Sequence, residues 1–331
     1  MNTLMNNRIL KFLIMTQCML FWNIKSHAQL DSLPPLENDT ISICSFNIQF
    51  LGHFKAREDS LLVNVLDTFD IVVIQEMVAP PVEGLFPDGS AFKKDNESAS
   101  FVEEMTNRGF NYWLSPEDTG PSKNHVNSTS SEWWITFYKP EKIIPDSSRF
   151  YGFLDTVVVG SMKYKRVPYA MPFMTTKDST HLFSLISLHL QPGNGSKDRE
   201  IRANELANLF SWSKNNEDST QIILLGDCNI YKAEEFIHYD SIGIYSLNEE
   251  CLNTNTKLYE SEAKDKPYDH VFYSSKSVEN MITTSFQVID LMEYLRNSLP
   301  VEQYIYEPYE HDLFRTSFSD HLPIKFIFIV M

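Results

Sequence analysis

The sequence predicts a layered α/β fold. Three observations carry that expectation: strand-like and helix-like hydrophobic patterns alternate from about residue 41 to the C-terminus, strand candidates outnumber helix candidates, and 43% of the 331 residues are hydrophobic with only 11 glycines and 16 prolines. Such a composition supports a packed core and excludes collagen-like, low-complexity and wholly disordered chains. Residues 41–48 alternate apolar and polar side chains as a strand does. Leu61, Leu62, Val65, Leu66 and Phe69 recur at helical spacing, and residues 71–74 form an apolar run between Asp70 and Gln75, so the chain opens as strand, helix, strand. Further strands are expected at residues 133–138, 181–190, 222–225, 270–273 and 324–330, with helices around 100–108 and 198–213. Two polar loops, 80–96 and 115–131, interrupt the pattern without marking a domain boundary, because strand-like segments continue on both sides. Residues 41–331 are therefore expected to form one domain.

Ahead of that domain, Arg8 and Lys11 precede an apolar run, residues 12–24, which is followed by Ser26-His27-Ala28. Small residues at the third and last positions before Gln29 fit a secretory cleavage site, so residues 1–28 read as a signal peptide. An uncleaved membrane anchor is the alternative, disfavoured because the run is short and interrupted by Gln17, Cys18 and Asn23. Residues 29–40, polar with a Pro-Pro pair, read as a linker, and the mature chain is expected to be secreted or periplasmic. Cleavage removes three positive charges and takes the formal net charge from −16 to −19. That acidity excludes a nucleic-acid binder working by bulk positive charge, though not a local basic groove. Cys44, Cys228 and Cys251 remain, consistent with one disulfide and one buried thiol or with three buried thiols.

Functional information lies at the ends of the apolar strands. Asn47 closes the first strand and Glu76 the second. His189 ends the run at 185–188, Asp227 and Asn229 follow Gly226, Asp269 precedes residues 270–273, and Asp320 and His321 precede the last apolar run. A single Asp or Asn after a strand is an ordinary turn former or helix cap. Here carboxylates, amides and two histidines recur at six strand ends, where open α/β sheets collect ligands. Together they supply what metal-assisted hydrolysis of a phosphate ester requires: oxygen ligands for a hard cation, a base for water and an acid for the leaving oxygen.

The motifs Ser45-Phe46-Asn47-Ile48, Ile74-Gln75-Glu76, Ser187-Leu188-His189-Leu190-Gln191-Pro192, Gly226-Asp227-Cys228-Asn229, Tyr268-Asp269-His270 and Ser319-Asp320-His321-Leu322-Pro323 resemble, in order, those of the endonuclease/exonuclease/phosphatase superfamily. Residues 131–140, with Glu132, followed by Lys165-Arg166-Val167-Pro168, are most similar to the deoxyribonuclease I family. The resemblance implies two mixed β-sheets packed face to face as a sandwich with helices on the outer faces. It implies Glu76 as principal ligand of Mg²⁺, with Mn²⁺ or Ca²⁺ as alternatives, and Asn47, Asp227, Asn229 and Asp320 completing the metal site. His321 with Asp269 would activate water, and His189 with Glu132 would protonate the leaving oxygen. Asp227 and Asn229 would support the chemistry, and Arg166, Asn47 and Asn229 would hold the substrate phosphate.

The sequence departs from the family at positions that grip DNA. Val78 stands two residues after the metal-binding Glu where the family carries Arg, Ser130 replaces a groove-contacting Tyr, and Gln49 replaces an Arg. Such residues fix register on duplex DNA, so a weak grip on any polyanion is expected. Cys228 stands in place of a Phe, as a packing substitution beneath the metal loop. The implied function is a monomeric, secreted, metal-dependent endonuclease acting on DNA or RNA, with no stable protein partner. The alternative is a phosphodiesterase or phosphatase on phospholipid or small phosphate esters, favoured if the aromatics of residues 80–92 are exposed. A binding protein without catalysis is a third reading, disfavoured because no catalytic motif position is replaced.

Overall fold

The computed structural model describes residues 40–330 apart from 56, 119–130, 150, 155–163, 178–181, 217–220, 236–242, 261–265, 275–280, 284–285, 301–302 and 304. The expected signal peptide, most of the linker, Ser130 and most of the loop at 115–131 lie outside the described residues. In chain order the strands are β1 (Thr40–Leu51), β2 (Ile71–Met77), β3 (Gly84–Leu85), β4 (Ala91–Phe92), β5 (Asn111–Leu114), β6 (Trp133–Tyr138), β7 (Ile143–Pro145), β8 (Gly152–Phe153), β9 (Tyr169–Thr175), β10 (Leu182–His189), β11 (Gln221–Asp227), β12 (Ile244–Ser246), β13 (Asp269–Ser274), β14 (Met281–Thr283), β15 (Gln287–Val288) and β16 (Ile324–Val330). The helices are α1 (Asp59–Leu66), α2 (Asn96–Asn107), α3 (Ser196–Asn216), α4 (Leu291–Ser298) and α5 (His311–Ser317). One sheet runs β14-β16-β1-β2-β6-β5 with β15 also on β16, and the other runs β12-β13-β11-β10-β9-β7 with β8 also on β9. Each contains a parallel pair, β1 with β2 and β10 with β11, beside antiparallel ones such as β2 with β6 and β10 with β9, so both sheets are mixed.

Side-chain alternation along the strands builds the layers. Ile43, Ile71, Val73 and Trp134 of the first sheet meet Met171, Phe173, Leu185, Leu225 and Val271 of the second in one buried cluster between the sheets. The opposite parity, Cys44, Phe46, Val72 and Ile74, packs outward against Leu62, Leu66, Phe101, Met105, Leu295 and Phe314 of the helices. On the far side Ile186, Leu188 and Leu224 pack against Leu206, Leu209 and Phe210 of α3. The sandwich with helices on its outer faces is as the motifs imply. Cys44 and Cys228 are buried and Cys251 half-buried, all three free. Cys228 packs in the α3 cluster as expected.

A polar contact in the middle of the apolar interlayer joins the two sheets. Gln75 is fully buried, and its Nε2 donates to Ser45 Oγ at 3.2 Å and to Ser187 Oγ at 3.3 Å in the opposite sheet. An unpartnered buried amide would cost about 1–3 kcal/mol, so this bridge favours one relative placement of the two sheets. Two residues further along each strand, on the same face, lie Asn47 and His189.

The loop at 80–96 does not meet the condition that would favour the lipid alternative. Its aromatics are not displayed to solvent: Phe86 is buried and stacks on Trp133 at 5.7 Å, and Phe92 meets the same ring edge-on at 4.8 Å. Trp133 lies on the outward face of β6, so the β3–β4 hairpin folds down to cover it. Only Leu85, 68% exposed, is left as a large apolar side chain on that hairpin, and the aromatic surface that would suit a lipid interface is absent there.

Candidate active site

The strand-end residues converge where the parallel pairs of both sheets terminate. Asn47 pairs in register with Gln75, His189 with Asp227, and Asp227 with Asp269. Strand parity turns Asn47, His189, Asp227 and Asp269 into the gap between the sheets, but it would point Glu76 away, beside Phe46 and Ile74. A break in pairing between Ile74 and Met77 and a left-handed φ of +64° at Glu76 bring that side chain back to the site. Backbone strain of this kind, about 1–3 kcal/mol, persists where surrounding contacts fix it. Here the Glu76 N–H donates to Glu132 Oε2 at 2.8 Å, and the carboxylate accepts from Asn47 Nδ2 at 3.0 Å and from the Phe50 N–H at 3.2 Å. Gly226 has the opposite constraint: at φ +141° a Cβ would lie 2.1 Å from the Leu188 carbonyl oxygen, so only glycine lets β11 reach Asp227 in this register.

Two histidine–carboxylate pairs face each other across Asp227. His189 Nδ1 lies 3.1 Å from Glu132 Oε2 and its Nε2 3.3 Å from Asp227 Oδ2. His321 Nδ1 lies 2.8 Å from Asp269 Oδ2 and its Nε2 3.6 Å from the same Asp227 oxygen. Burial and the Arg166 charge push His189 down to about 4, even though Asp227 and Glu76 face it. Burial acts the same way on His321, but Asp269 and Asp227 override it and hold the proton well above the ordinary histidine range. Burial also raises Glu76 and Asp227, and lifts Glu132 to about 7 against the pull of Arg166.

A cavity of about 440 Å³ is lined by Glu76, Arg166, His189, Asp227, Asn229, Asp320 and His321. Glu132, Asp269 and Asn47 lie behind that wall. For the two acids this is the position an orienting group takes. Asn47 shares its Nδ2 between Glu76 and Asp227 Oδ2 at 3.0 Å each, and its Oδ1 accepts the Gln49 N–H. Asn47 here fixes two carboxylates side by side. Arg166 is buried, 3.7 Å from Glu132 Oε1, and its Nε and Nη1 have no hydrogen-bond partner. Trp134 Nε1 donates to the Val167 carbonyl at 2.8 Å, tying the Arg166 segment to β6. Asp320 stands at the rim, its Oδ1 4.0 Å from His321 Nε2. Asn229 donates its backbone N–H to Asp227 Oδ1 and its Nδ2 to the Leu190 carbonyl.

Two supporting groups had no signature in the sequence. Arg57, in an irregular segment before α1, donates to the carbonyls of Ile48, Gln49 and Phe318, clamping the turn after Asn47 onto the segment that carries Asp320 and His321. Ser319 Oγ reinforces the clamp by donating to the Asn47 carbonyl at 2.7 Å. Glu205 of α3 accepts from the backbone N–H groups of Gln191 and Lys165, joining the loops that follow His189 and carry Arg166. Burial raises Glu205 from 4.5 to about 7. Between those values the folded protein keeps a proton that the unfolded chain has lost, so this contribution to stability is full below 4.5 and disappears as pH rises through 7. Glu205→Gln, which cannot ionise, should therefore gain on the wild type by roughly 1–3 kcal/mol between pH 5 and pH 8 in chemical denaturation; an equal difference at both pH values would contradict the assignment.

No family model matches the sequence, and no curated protein matches it. Solved structures do. The human Nocturnin catalytic domain with bound sulfate anion superposes with a TM-score of 0.57 at 15% identity, over 91% of this chain and 100% of that one. An endonuclease/exonuclease/phosphatase family protein from Bacteroides thetaiotaomicron gives 0.54 at 14% identity over 88% and 98%. D. rerio TDP2 complexed with single strand DNA product gives 0.52 at 14% over 87% and 98%. The chain thus has the endonuclease/exonuclease/phosphatase fold, in agreement with its motifs.

Proposed function

We propose that this chain is a divalent-metal-dependent phosphoric ester hydrolase, exported after cleavage near Ala28, that cleaves phosphodiester bonds in nucleic acid. The observation that carries the reading is the pairing of two carboxylate-backed histidines on one aspartate with a buried arginine on the same cavity wall whose Nε and Nη1 make no hydrogen bond. A neutral binding pocket has no use for that arrangement, whereas a phosphoryl group in transit needs each part of it.

The donor set fits a hard cation. Glu76, His189 and Asp227 present ligand atoms within 4.8 Å of one another, as do Asp227, Asp269 and His321. Two enclosed carboxylates held side by side by Asn47 are stable as anions only with positive charge between or beside them, and their raised proton affinity expresses that deficit. Glu76 and Asp227 would hold Mg²⁺, with Asp320 and Asn229 at its edge. The chemistry supplied by a bound Mg²⁺ is charge neutralisation on the phosphate oxygens.

The chain's own groups do the rest. Arg166 offers Nε and Nη1 to the phosphate, in a fork geometry lysine cannot reproduce. His321, oriented through Nδ1 by Asp269, takes the proton of the attacking water at Nε2. His189, oriented by Glu132, delivers a proton from Nε2 to the leaving oxygen. Without cation and substrate the resting charges are inverted, His321 protonated and His189 neutral. Charge compensation at Asp227 loosens the His321 proton, and an anionic phosphate beside His189 favours its protonation.

The mature protein should hydrolyse plasmid DNA or RNA in Mg²⁺ and stop in EDTA, without releasing phosphocholine from sphingomyelin or phosphate from monoesters. Activity on sphingomyelin or monoesters alone would replace the nuclease reading, and equal activity in EDTA would remove the metal from it.

A further inference from the structure

The cavity has a second wall that the proposed chemistry leaves idle. Asn255 is bridged to His321 through the backbone, and its Oδ1 accepts the Lys257 N–H at 2.8 Å, which anchors Lys257 two residues from that bridge. Lys266 Nζ stands 5.7 Å from the centre of the Tyr268 ring, and that ring lies 5.3 Å from the imidazole of His321. Arg315 reaches in from α5, its Nε 3.3 Å from Gln49 Oε1. Gln49 is the position at which the family's arginine is missing, so a guanidinium from another element stands against it. All three cations line the same cavity as Arg166 and His321.

Charge decides what this wall accepts. Among the described residues neither Lys257 nor Lys266 makes a salt bridge, whereas Arg315 Nη1 lies 3.8 Å from Asp312 Oδ1 on the same wall, so the uncancelled charge of this wall rests on the two lysines. Arg166 already serves a phosphate on the catalytic wall. A substrate with one anionic group would leave the second wall unmatched, and a phosphocholine ester would set a quaternary ammonium against Lys257 and Lys266. The tyrosine face that could hold an ammonium by cation–π attraction already has Lys266 over it.

We propose that Lys257, Lys266 and Arg315 form a second anion subsite, so that the substrate is a nucleic-acid strand whose scissile phosphodiester is bound together with a neighbouring phosphate. The inference rests on the phosphodiesterase reading above and narrows it. The charge concentrated on this wall also replaces part of the grip missing at Val78 and Gln49, despite the acidity of the chain as a whole.

The probe is a thymidine trinucleotide with two charged linkages, compared with the two versions in which one or the other linkage is a neutral methylphosphonate. All three carry the same bases, so the comparison isolates one phosphate charge. Dissociation constants are measured by calorimetry with Mg²⁺ in a His321→Ala background, where turnover does not consume the ligand. The fully charged strand should bind about 10-fold or more tightly than either neutralised version, as expected for one added charge-assisted contact. In Lys257→Ala/Lys266→Ala that ratio should fall to about 2 or less, and Lys257→Arg/Lys266→Arg should restore it. Both lysines are at least partly exposed, so the fold should tolerate the changes, which matching melting curves would verify. A ratio near one in the protein with both lysines, or a full ratio in the double alanine variant, would overturn the subsite. Absence of hydrolysis of any nucleic acid by the wild type would instead overturn the phosphodiesterase reading, and the binding ratio still decides the subsite.

Discussion

Alanine at either active-site histidine is expected to lower phosphodiester hydrolysis by about 10²- to 10⁴-fold, the usual contribution of positioned proton transfer. The two losses should differ in kind. If His189 supplies the proton to the leaving oxygen, a substrate that leaves as p-nitrophenolate needs no such proton, so bis-p-nitrophenyl phosphate should recover most of the loss in His189→Ala and little of it in His321→Ala. The reverse pattern would exchange the two roles, which is the assignment the resting charges alone would suggest. Full activity in both variants would remove the imidazoles from the mechanism. Because both rings meet at Asp227 Oδ2, the double variant should lose far less than the product of the single losses.

The parts of this site legible in the sequence were those carried by strands. Strand alternation puts Ser45 with Asn47, Ser187 with His189 and Leu225 with Asp227 on one face, so a polar residue closing an apolar strand declares itself. Glu76 was found by motif, because alternation alone would have turned it outward; its left-handed backbone is not visible in residue types. Arg57 was missed because its partners are carbonyls, which leave no trace in composition, and one of them lies 261 residues away in sequence. The basic wall was missed for a related reason: Lys257, Lys266 and Arg315 come from a short 3₁₀ turn, a loop and a short helix, none with a hydrophobic period. In the fold, β9 was concealed by Pro172, which removes a ladder donor. The start of α2 was misplaced by four residues because Asp95, a polar loop residue by composition, caps it by accepting the Glu97 and Ser98 N–H groups at 3.0 Å.

Glu76→Gln is expected to separate stability from function. The wild-type carboxylate is enclosed, its proton affinity raised by burial and by Asp320, and its backbone is held in a left-handed conformation. Replacing it with an amide of the same shape removes a charge that costs stability in the metal-free protein, so the variant's Tm in EDTA at pH 8 should be at least that of the wild type. Its activity in Mg²⁺ should nevertheless fall by roughly 10²-fold or more, since charge compensation at the phosphate is among the largest contributions to this kind of catalysis.

Titration of hydrolysis against free Mg²⁺, in parallel for the wild type and Glu76→Gln on the same oligonucleotide, therefore bears most directly on the assignment of a cation to Glu76 and Asp227. The wild type should rise from no activity in EDTA to a plateau, and the variant should need a concentration at least about 10-fold higher to reach half of a lower plateau. Superimposable titration curves, or a wild type that is active without any divalent cation, would contradict it.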